Sequence, residues 1–138
     1  MSDEVQIRTG GAYDLGYQVV WCPKYRRRVL TGEVHARCDA LIRQKCSEHD
    51  WRVTSLEVMP DVVCLVVRAH PRDSPSHIAN QLKGYTSRVL RSEFPFLRSR
   101  LPTLWSRSFF VATVGTVSPT TVRRYMDTQY ERPWRRDR

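Results

Sequence analysis

The chain has 138 residues and carries 23 lysines and arginines against 14 aspartates and glutamates, which gives a formal net charge of +9. This length suits one domain that folds without a disulfide or a structural metal, and the basic excess points to a polyanionic partner. The sequence contains no apolar run long enough to span a membrane, no basic amphipathic helix of the membrane-surface kind and no signal peptide, so we expect a cytoplasmic protein without a membrane partner.

The first predicted element is a strand that follows a polar leader. Residues 1–12 include Gly10-Gly11 and are expected to be disordered. Residues 13–21 are rich in aromatic and β-branched side chains and stop before Pro23, which favours a strand. A basic cluster comes next, and its residues are Lys24, Tyr25, Arg26, Arg27 and Arg28. Four cations in five residues repel one another, so we expect an anionic ligand at this cluster.

A helix and a hairpin are predicted in the next third of the chain. Thr31 is expected to cap a helix that runs to about His49, because apolar residues recur there at helical spacing. Residues 51–58 and 62–67 then read as two strands joined by a turn at Met59-Pro60-Asp61.

The cysteines are expected to be reduced thiols. No pair of them has a C-x-x-C spacing, and no export signal is present. His35-x-x-Cys38 and Cys46-x-x-His49 lie on one face of the predicted helix. Cys38 and Cys46 would however be roughly 12 Å apart along its axis, whereas zinc ligands lie about 2.3 Å from the ion. A half-buried helix face is therefore preferred over a zinc site.

The rest of the chain predicts a second helix, a strand and a final helix. Ser74-Pro75 should open the second helix, with a buried stripe at Ile78, Leu82, Tyr85 and Val89. We expect an irregular connection at 94–102, a strand at about 107–114, a helix at about 119–130 and a basic tail at 131–138.

This order of elements predicts an α+β fold. A split β-α-β arrangement gives a ferredoxin-like or RRM-like antiparallel sheet with helices on one face, here with an additional C-terminal helix. Residues 13–130 would form one domain, and the open face of such a sheet often binds nucleic acid.

Particular segments resemble a known family. Residues 17–30 closely resemble the opening strand and basic turn of the HUH-type single-tyrosine transposases of small insertion sequences, the IS200-like transposases of the 200/605 type. The likeness continues through 56–61, 74–76, 82–88, 104–111 and 122–129, and it covers 13–129.

The resemblance implies DNA transposition by nicking and rejoining of single-stranded DNA at hairpins near each end of an insertion sequence. In that family a tyrosine attacks the scissile phosphate and retains a 5′-phosphotyrosine. Two histidines of a His-hydrophobic-His strand motif, aided by a glutamine one helical turn after the tyrosine, bind Mg²⁺ or Mn²⁺. The family protein is a homodimer in which the tyrosine helix of one subunit serves the metal site of the other.

The resemblance puts the nucleophile at Tyr125 and the helical metal ligand at Gln129. Residues four apart share a helix face, so both side chains could enter one site. Without the resemblance, Tyr125 would read as part of the core stripe of a short amphipathic helix, together with Val122 and Met126.

The chain departs from the family at the metal-binding strand. Val62 and Cys64 stand where the two histidines are expected, two residues apart on one strand face. Valine has no lone pair, and a thiolate is a soft ligand that suits Mg²⁺ or Mn²⁺ poorly. Asp61, His70 and His77 are badly placed to replace the histidines. We therefore expect weak or no metal binding and weak or absent cleavage, with folding and DNA binding retained.

The expected DNA contacts are basic and aromatic. The predicted DNA-binding residues are Lys24, Tyr25, Arg26, Arg27, Arg28, Lys83, Arg88, Arg107, Arg123 and Arg124. The basic residues are expected to contact phosphates, and Tyr25 is expected to stack on bases. Trp105 and Phe109 could also stack on unpaired bases.

Three functions stay open from the sequence. The first is a single-strand transposase, active or impaired. The second is a catalytically dead protein that binds DNA hairpins as a regulator, or as the partner of an intact transposase in a heterodimer. The third and weakest is an RNA-binding protein.

Overall fold

Alternating buried and exposed side chains along the strands build an antiparallel sheet. The structure is a computed structural model that describes residues 15–114 and 126–127. Within these residues the strands are β1 (Leu15–Trp21), β2 (Arg52–Met59), β3 (Val62–Ala69) and β4 (Phe110–Thr113). They form one sheet in the order β2-β3-β1-β4, and every neighbouring pair is antiparallel.

Two long helices cover one face of this sheet. They are α1 (Gly32–Glu48) and α2 (Pro75–Glu93). β1 and β2 are connected through α1 and separated in the sheet by β3, as a split β-α-β unit requires. The predicted α+β, ferredoxin-like fold is therefore confirmed. Of the predicted C-terminal helix, only Met126 and Asp127 are described, and both are helical.

The main core lies between the helices and the sheet. Tyr17, Val19 and Trp21 point from β1 into this core, and alternate residues of β3 do the same. Trp21 meets the Trp105 ring edge-on, with ring centroids 5.9 Å apart. Burial of these apolar side chains against α1 and α2 fixes which strand residues are left for the opposite sheet face.

The opposite sheet face carries a second, smaller apolar cluster. Val20, Cys22 and Val62 are 0%, 0% and 1% exposed. We call them the open-face cluster, together with the partly buried residues that pack against them, which are Met59, Cys64, Phe110 and Met126.

Several sequence expectations about the helices need correction. Thr31 occupies the N-cap position of α1, but its side chain accepts no capping hydrogen bond, whereas Ser74 Oγ accepts one from the His77 N–H at 3.1 Å as predicted. Ile78 and Leu82 are buried as predicted, but Tyr85 and Val89 are only partly buried, because the core-facing side of α2 continues through Ala79, Thr86 and Leu90 instead.

The connection after α2 is also more regular than predicted. Its residues include a short helix, α3 (Phe96–Arg100), which buries Leu97. The following strand is shorter than predicted, because pairing with β1 begins only at Phe110. The predicted leader, the basic tail and most of the final helix lie outside the described residues. No helix among the described residues is long and apolar enough to cross a membrane.

Candidate active site and nucleic-acid surface

Val62 and Cys64 lie on the open sheet face, at the positions where the resemblance places two histidines. In the ladder of β1 and β3, Cys64 is opposite Val20, and Cys22 follows directly after β1. Val62 pairs with Met59 across the tight β2–β3 turn. The two side chains therefore share a face, as the strand period predicted. Their neighbours on that face are mainly apolar, apart from exposed Glu57, which pairs with Cys64 from β2.

The chemistry of this cluster does not fit a hard divalent cation. Burial raises the pKa of the Cys22 thiol to about 12 and the pKa of the Cys64 thiol to about 11. Both thiols are therefore protonated near neutral pH and are poor ligands, since it is the thiolate that binds metal. Across residues 15–114 and 126–127, no group of three His, Cys, Asp or Glu side chains could hold a metal ion.

Asp61 does not substitute for the missing histidines, because Arg26 already neutralises it. Arg26 Nε and Nη2 donate to Asp61 Oδ2 at 3.0 and 2.8 Å. The two side chains are only 11% and 10% exposed, so the pair is well shielded from water. This pair also removes Arg26 from the set of cations that are available to bind phosphate.

Tyr125 and Gln129 lie outside the described residues, but Met126, the residue after Tyr125, is described. Met126 packs against the open-face cluster. Its backbone carbonyl accepts a hydrogen bond from Arg26 Nη1 at 3.2 Å. The chain next to Tyr125 is thus held beside the positions of Val62 and Cys64.

The basic turn after β1 has an unusual backbone. Tyr25 and Arg26 have φ values of 61° and 51°, which place two consecutive non-glycine residues in the left-handed region. Each such residue costs on the order of 1–3 kcal/mol. The flanking backbone offsets this cost, since Lys24 N–H donates to Leu104 O at 2.8 Å and Leu30 N–H donates to Pro60 O at 3.0 Å.

This turn separates its cations into two groups. Arg26 points inward to Asp61, whereas Arg27 and Arg28 are exposed. The Lys24 and Arg27 cations lie 5.3 and 5.9 Å from the centroid of the Tyr25 ring, which itself packs partly against the main core. Cations over this ring restrict its use as a stacking platform for bases.

The loop before β4 runs alongside this turn. Ser106 N–H donates to Cys22 O at 2.9 Å, and Pro23 forms a β-bridge with Trp105. These contacts bring exposed Arg107 to the side of the basic turn. We call the resulting surface the basic rim, and its residues are Lys24, Arg27, Arg28 and Arg107.

Lys83 has a different role from the predicted phosphate contact. Its ammonium group donates to the backbone carbonyls of Ser106, Arg107 and Ser108 at 2.8, 3.2 and 3.3 Å. Burial lowers its pKa to about 8. It also lies 5.2 Å from the centroid of the Phe109 ring. Lys83 therefore fixes the loop that carries Arg107.

Trp105 also belongs to the scaffold. It is 5% exposed, and its Nε1–H donates to Thr86 Oγ1 at 3.0 Å. Bases cannot stack on a ring buried in this way, so the prediction that Trp105 stacks on DNA is wrong for this conformation.

Arg88 lies apart from the basic rim. Its guanidinium is 5.6 Å from the Tyr85 ring centroid, and Lys45 of α1 lies 4.9 Å from the same ring. These contacts place Arg88 on the helical layer. Arg123 and Arg124 are outside the described residues. Sequence reasoning missed Cys22 as a neighbour of positions 62 and 64, although its even spacing from Val20 is the signal that could have found it.

Comparison with known proteins gives a consistent family. The family described as Transposase IS200 like matches residues 11–129. The ISDra2 transposase TnpA of Deinococcus radiodurans is 30% identical over 131 residues, which cover 94% of each chain. The transposase for insertion sequence element IS200 of Salmonella typhimurium is 30% identical over 101 residues, which cover 72% of this chain and 66% of that protein.

Two solved structures are similar as well. The crystal structure of a candidate transposase from Deinococcus radiodurans R1 superposes with a TM-score of 0.83 and 31% identity, covering 91% of this chain and 98% of that one. A REP-associated tyrosine transposase bound to a REP hairpin gives a TM-score of 0.55 at 13% identity, covering 88% of this chain and 67% of that one. The second similarity supports the fold alone.

Proposed function

This chain belongs to the IS200-like transposase family, and on that premise we propose that it binds single-stranded DNA hairpins at the ends of an insertion sequence while its own metal site is disarmed. The observation that carries this proposal is the apolar, thiol-containing cluster at Val62 and Cys64. The proposal places the protein in the cytoplasm, as a homodimer or in a mixed dimer with an intact relative.

The DNA-binding part of the proposal rests on the basic rim. Arg27, Arg28 and Arg107 are exposed, and none of them forms an ion pair with an acidic side chain in the part of the chain that the structure describes. Unpaired cations on a common surface bind phosphates and release the counterions that surround DNA. The fixed loop and turn beneath them hold these charges in one arrangement, which favours a shaped ligand such as a hairpin.

The catalytic part rests on what the reaction needs. Tyr125 Oη would bond to the scissile phosphorus while the bond to the 3′ oxygen breaks, leaving a 5′-phosphotyrosine and a free 3′ hydroxyl. A bound divalent ion would stabilise the charge that grows on the phosphate oxygens. Its loss costs several kcal/mol of transition-state stabilisation, or on the order of a thousandfold in rate. We therefore propose that cleavage by this chain alone is weak or absent.

The same disarmed site favours a second role, that of a non-cutting regulator or mixed-dimer partner. Such a protein would occupy hairpins without nicking them. In a mixed dimer, Tyr125 could still attack at the intact subunit's metal site, while the site at Val62 and Cys64 would support no cleavage.

The deciding experiment pairs binding with covalent capture. Gel shift and adduct formation are measured on single-stranded hairpin DNA from the flanks of this gene, with Mg²⁺ or Mn²⁺, for the native chain and for Val62→His plus Cys64→His. Tyr125→Phe in the double variant is the matched control. We expect binding by all three and a covalent adduct only with both histidines and Tyr125.

Two results would contradict the proposal. A metal-dependent adduct of the native chain at Tyr125 would show that a metal is held in another way. Equal affinity for a hairpin, for unstructured DNA and for an RNA hairpin would argue against specific DNA-hairpin binding. A further experiment tests the mixed dimer. The native chain is mixed with a relative that keeps both metal-binding histidines but has its own tyrosine replaced by phenylalanine, and an adduct should then form on Tyr125.

A further inference from the structure

The short helix α3 (Phe96–Arg100) carries an aromatic ring and two cations on the surface of the protein. Phe96 is 41% exposed, more than any other aromatic side chain in the part of the chain that the structure describes. Arg98 and Arg100 are exposed as well. We call these three residues, together with Phe94 before the helix, the α3 corner. The sequence predicted an irregular connection here and no DNA contact.

The Phe96 ring is oriented by its neighbours but is not covered by the core. The Phe94 ring packs partly against the main core and forms a T-shaped pair with the Phe96 ring, at 69° and with centroids 6.3 Å apart. The Arg100 guanidinium lies 5.7 Å from the Phe96 centroid, one helical turn away. Tyr25 differs, since it has two cations near its ring and itself packs against the main core. Phe96 therefore offers a more accessible aromatic surface than Tyr25.

The backbone beneath the Phe96 ring is fixed. Leu97 is 0% exposed, and its N–H donates to Phe94 O at 2.9 Å. On the other side of the helix, Arg91 Nη1 donates to Leu101 O at 3.3 Å, which ties the end of α3 to α2. A ring that is oriented before binding loses less conformational entropy when a ligand stacks on it.

The cations of the α3 corner are not neutralised by carboxylates. No acidic residue occurs in the sequence between Glu93 and Asp127. Across residues 15–114 and 126–127, neither Arg98 nor Arg100 forms an ion pair, whereas Arg37 on α1 is paired with Glu93 at 2.8 Å. Positive charge beside an exposed ring fits a ligand that carries both phosphates and aromatic bases.

We propose that the α3 corner is a second DNA-binding site, which holds the unpaired strand that flanks a hairpin. This inference deepens the proposed function and rests on it, because the hairpin itself is assigned to the basic rim. A base stacks on Phe96, and Arg98 and Arg100 contact neighbouring phosphates. Stacking tolerates any base, so this site adds affinity without reading sequence.

The α3 corner is connected to the basic rim by a short, anchored stretch of chain. Lys24 N–H donates to Leu104 O at 2.8 Å, and Arg100 precedes Leu104 by four residues. Four residues span at most about 14 Å. Leu101 and Leu104 are 2% and 0% exposed, so this stretch is held against the main core. An unpaired strand that leaves a hairpin at the basic rim can therefore reach Phe96 within a few nucleotides.

The experiment compares three DNA ligands that share one hairpin from the flanks of this gene. The first is blunt, and the second has a tail of unpaired thymidines. The third has an abasic tail of the same length, which keeps the phosphates but has no bases. Binding to the full chain is measured by fluorescence anisotropy without divalent ions. We expect the thymidine tail to raise the affinity roughly tenfold over the abasic tail, within the range for one base stacked on an aromatic side chain.

Variants of Phe96 test the stacking part of the proposal. Phe96→Leu keeps an apolar side chain but removes the ring, so it should abolish the advantage of the thymidine tail and leave binding of the blunt hairpin unchanged. Phe96→Trp should restore the advantage. Leu15→Ala removes an apolar side chain that is 37% exposed elsewhere on the surface, and this matched control should change nothing.

Variants of the two arginines test the phosphate part. Arg98→Gln and Arg100→Gln should each reduce the slope of log K against log salt by about 0.7 with either tailed ligand. The slope for the blunt hairpin should stay unchanged in both variants. An equal fall of the slope with the blunt hairpin would reveal a general loss of net charge and would contradict a local contact.

Three further outcomes would overturn the proposal. A thymidine advantage that survives in Phe96→Leu would show that bases stack elsewhere. A change in sedimentation mass in Phe96→Leu would show that the ring belongs to an interface between protein chains. A larger effect of Phe96→Leu on binding of oligouridine RNA than on binding of oligothymidine would assign the α3 corner to RNA.

Failure of the proposed function would give a different pattern. Unstructured oligothymidine tests the α3 corner without a hairpin, and Phe96→Leu should weaken its binding roughly tenfold as well. A chain that shows this loss, but no preference for hairpins over unstructured DNA, would contradict the proposed hairpin function and still support a single-strand site at the α3 corner.

Discussion

Cys64 lies directly opposite Val20 in the antiparallel ladder of β1 and β3, on the sheet face that the two long helices do not cover. Their side chains are therefore neighbours, and position 64 lies between apolar groups and a second thiol on the β1 side and Glu57, its partner in β2, on the other. A metal site at this position would need new ligands and also a more polar surrounding.

The first prediction concerns metal-dependent stability. Val62→His plus Cys64→His should lower the free energy of unfolding by about 1–3 kcal/mol without metal, because two imidazoles enter an apolar cluster. Mn²⁺ at a hundredfold excess over its Kd should then raise the Tm by roughly 5–10 °C. The native chain should not respond to Mn²⁺, and Cys64→His alone should respond weakly. Thermal unfolding with and without Mn²⁺ measures this. A rise in the Tm of the native chain with Mn²⁺ would contradict the proposal that its metal site no longer binds the ion.

The second prediction separates phosphate contacts from scaffold cations. Arg27→Gln, Arg28→Gln and Arg107→Gln should each reduce the slope of log K against log salt by about 0.7, the value for one phosphate contact on single-stranded DNA. Fluorescence anisotropy at several salt concentrations gives the slope.

Two other cations provide controls for that experiment. Lys83→Met should reduce the slope less than Arg107→Gln does, because the Lys83 ammonium binds backbone carbonyls and holds the loop of Arg107 without contacting phosphate. Arg43 on α1 is exposed and paired with Asp39 at 2.8 Å, so Arg43→Gln should leave the slope unchanged. A slope that falls equally in all five variants would mean that net charge alone drives binding.

The third prediction concerns the buried hydrogen bond between Trp105 and Thr86. Thr86→Val leaves Trp105 Nε1–H unpaired and should lower the free energy of unfolding by about 1–3 kcal/mol. The cost should be smaller in a Trp105→Phe background, with a coupling energy of about 1 kcal/mol in a double-mutant cycle measured by urea unfolding. Thr86→Ser keeps the hydroxyl and serves as the control, and additive effects would show that the bond contributes nothing.

The fourth prediction is a loss of stability at alkaline pH. Burial raises the pKa of Cys38 and Cys46 to about 12, while both thiols titrate near 9 in the unfolded chain. Above pH 9 the folded state therefore holds more protons, and the free energy of unfolding falls by up to about 1.4 kcal/mol per pH unit for each thiol. Lys83 acts in the opposite direction between about pH 8 and 10.5, since its pKa is lowered.

A pair of alanine substitutions isolates the thiol contribution. Cys38→Ala plus Cys46→Ala should be less stable at pH 7 because of the lost packing, yet its stability should fall less steeply between pH 8.5 and about pH 10.5. Urea unfolding across this range is the measurement. Parallel pH profiles for the native chain and the variant would rule out this origin of the pH dependence.

Local sequence patterns were sufficient to predict most of the fold. The hairpin at Met59-Pro60-Asp61 and the cap at Ser74 depend on residues that are adjacent in the chain, and both were confirmed. The short helix at Phe96–Arg100 was missed because prolines and arginines obscured a single turn whose helicity depends on burying Leu97.

The site was predicted less completely, because its chemistry depends on contacts between distant residues. Arg26 and Asp61 are 35 positions apart, and nothing in the basic cluster distinguishes Arg26 from Arg27 or Arg28. Lys83 looked like another surface cation until its three carbonyl partners were known. Placement of Val62 and Cys64 on one face followed from strand period alone, whereas the role of Cys22 required the register of β1 and β3.

The packing of Met126 on the open-face cluster has a consequence for how such genes decay. A chain that ended shortly after β4 would lack Met126 and would expose more of the apolar open-face cluster. Such a chain would tend to self-associate. We therefore expect the segment that contains Met126 to favour solubility whether or not the protein still cuts DNA. Persistence of a tyrosine next to Met126 is therefore no proof of surviving recombination, since premature stop codons upstream of it would be eliminated for reasons of folding alone.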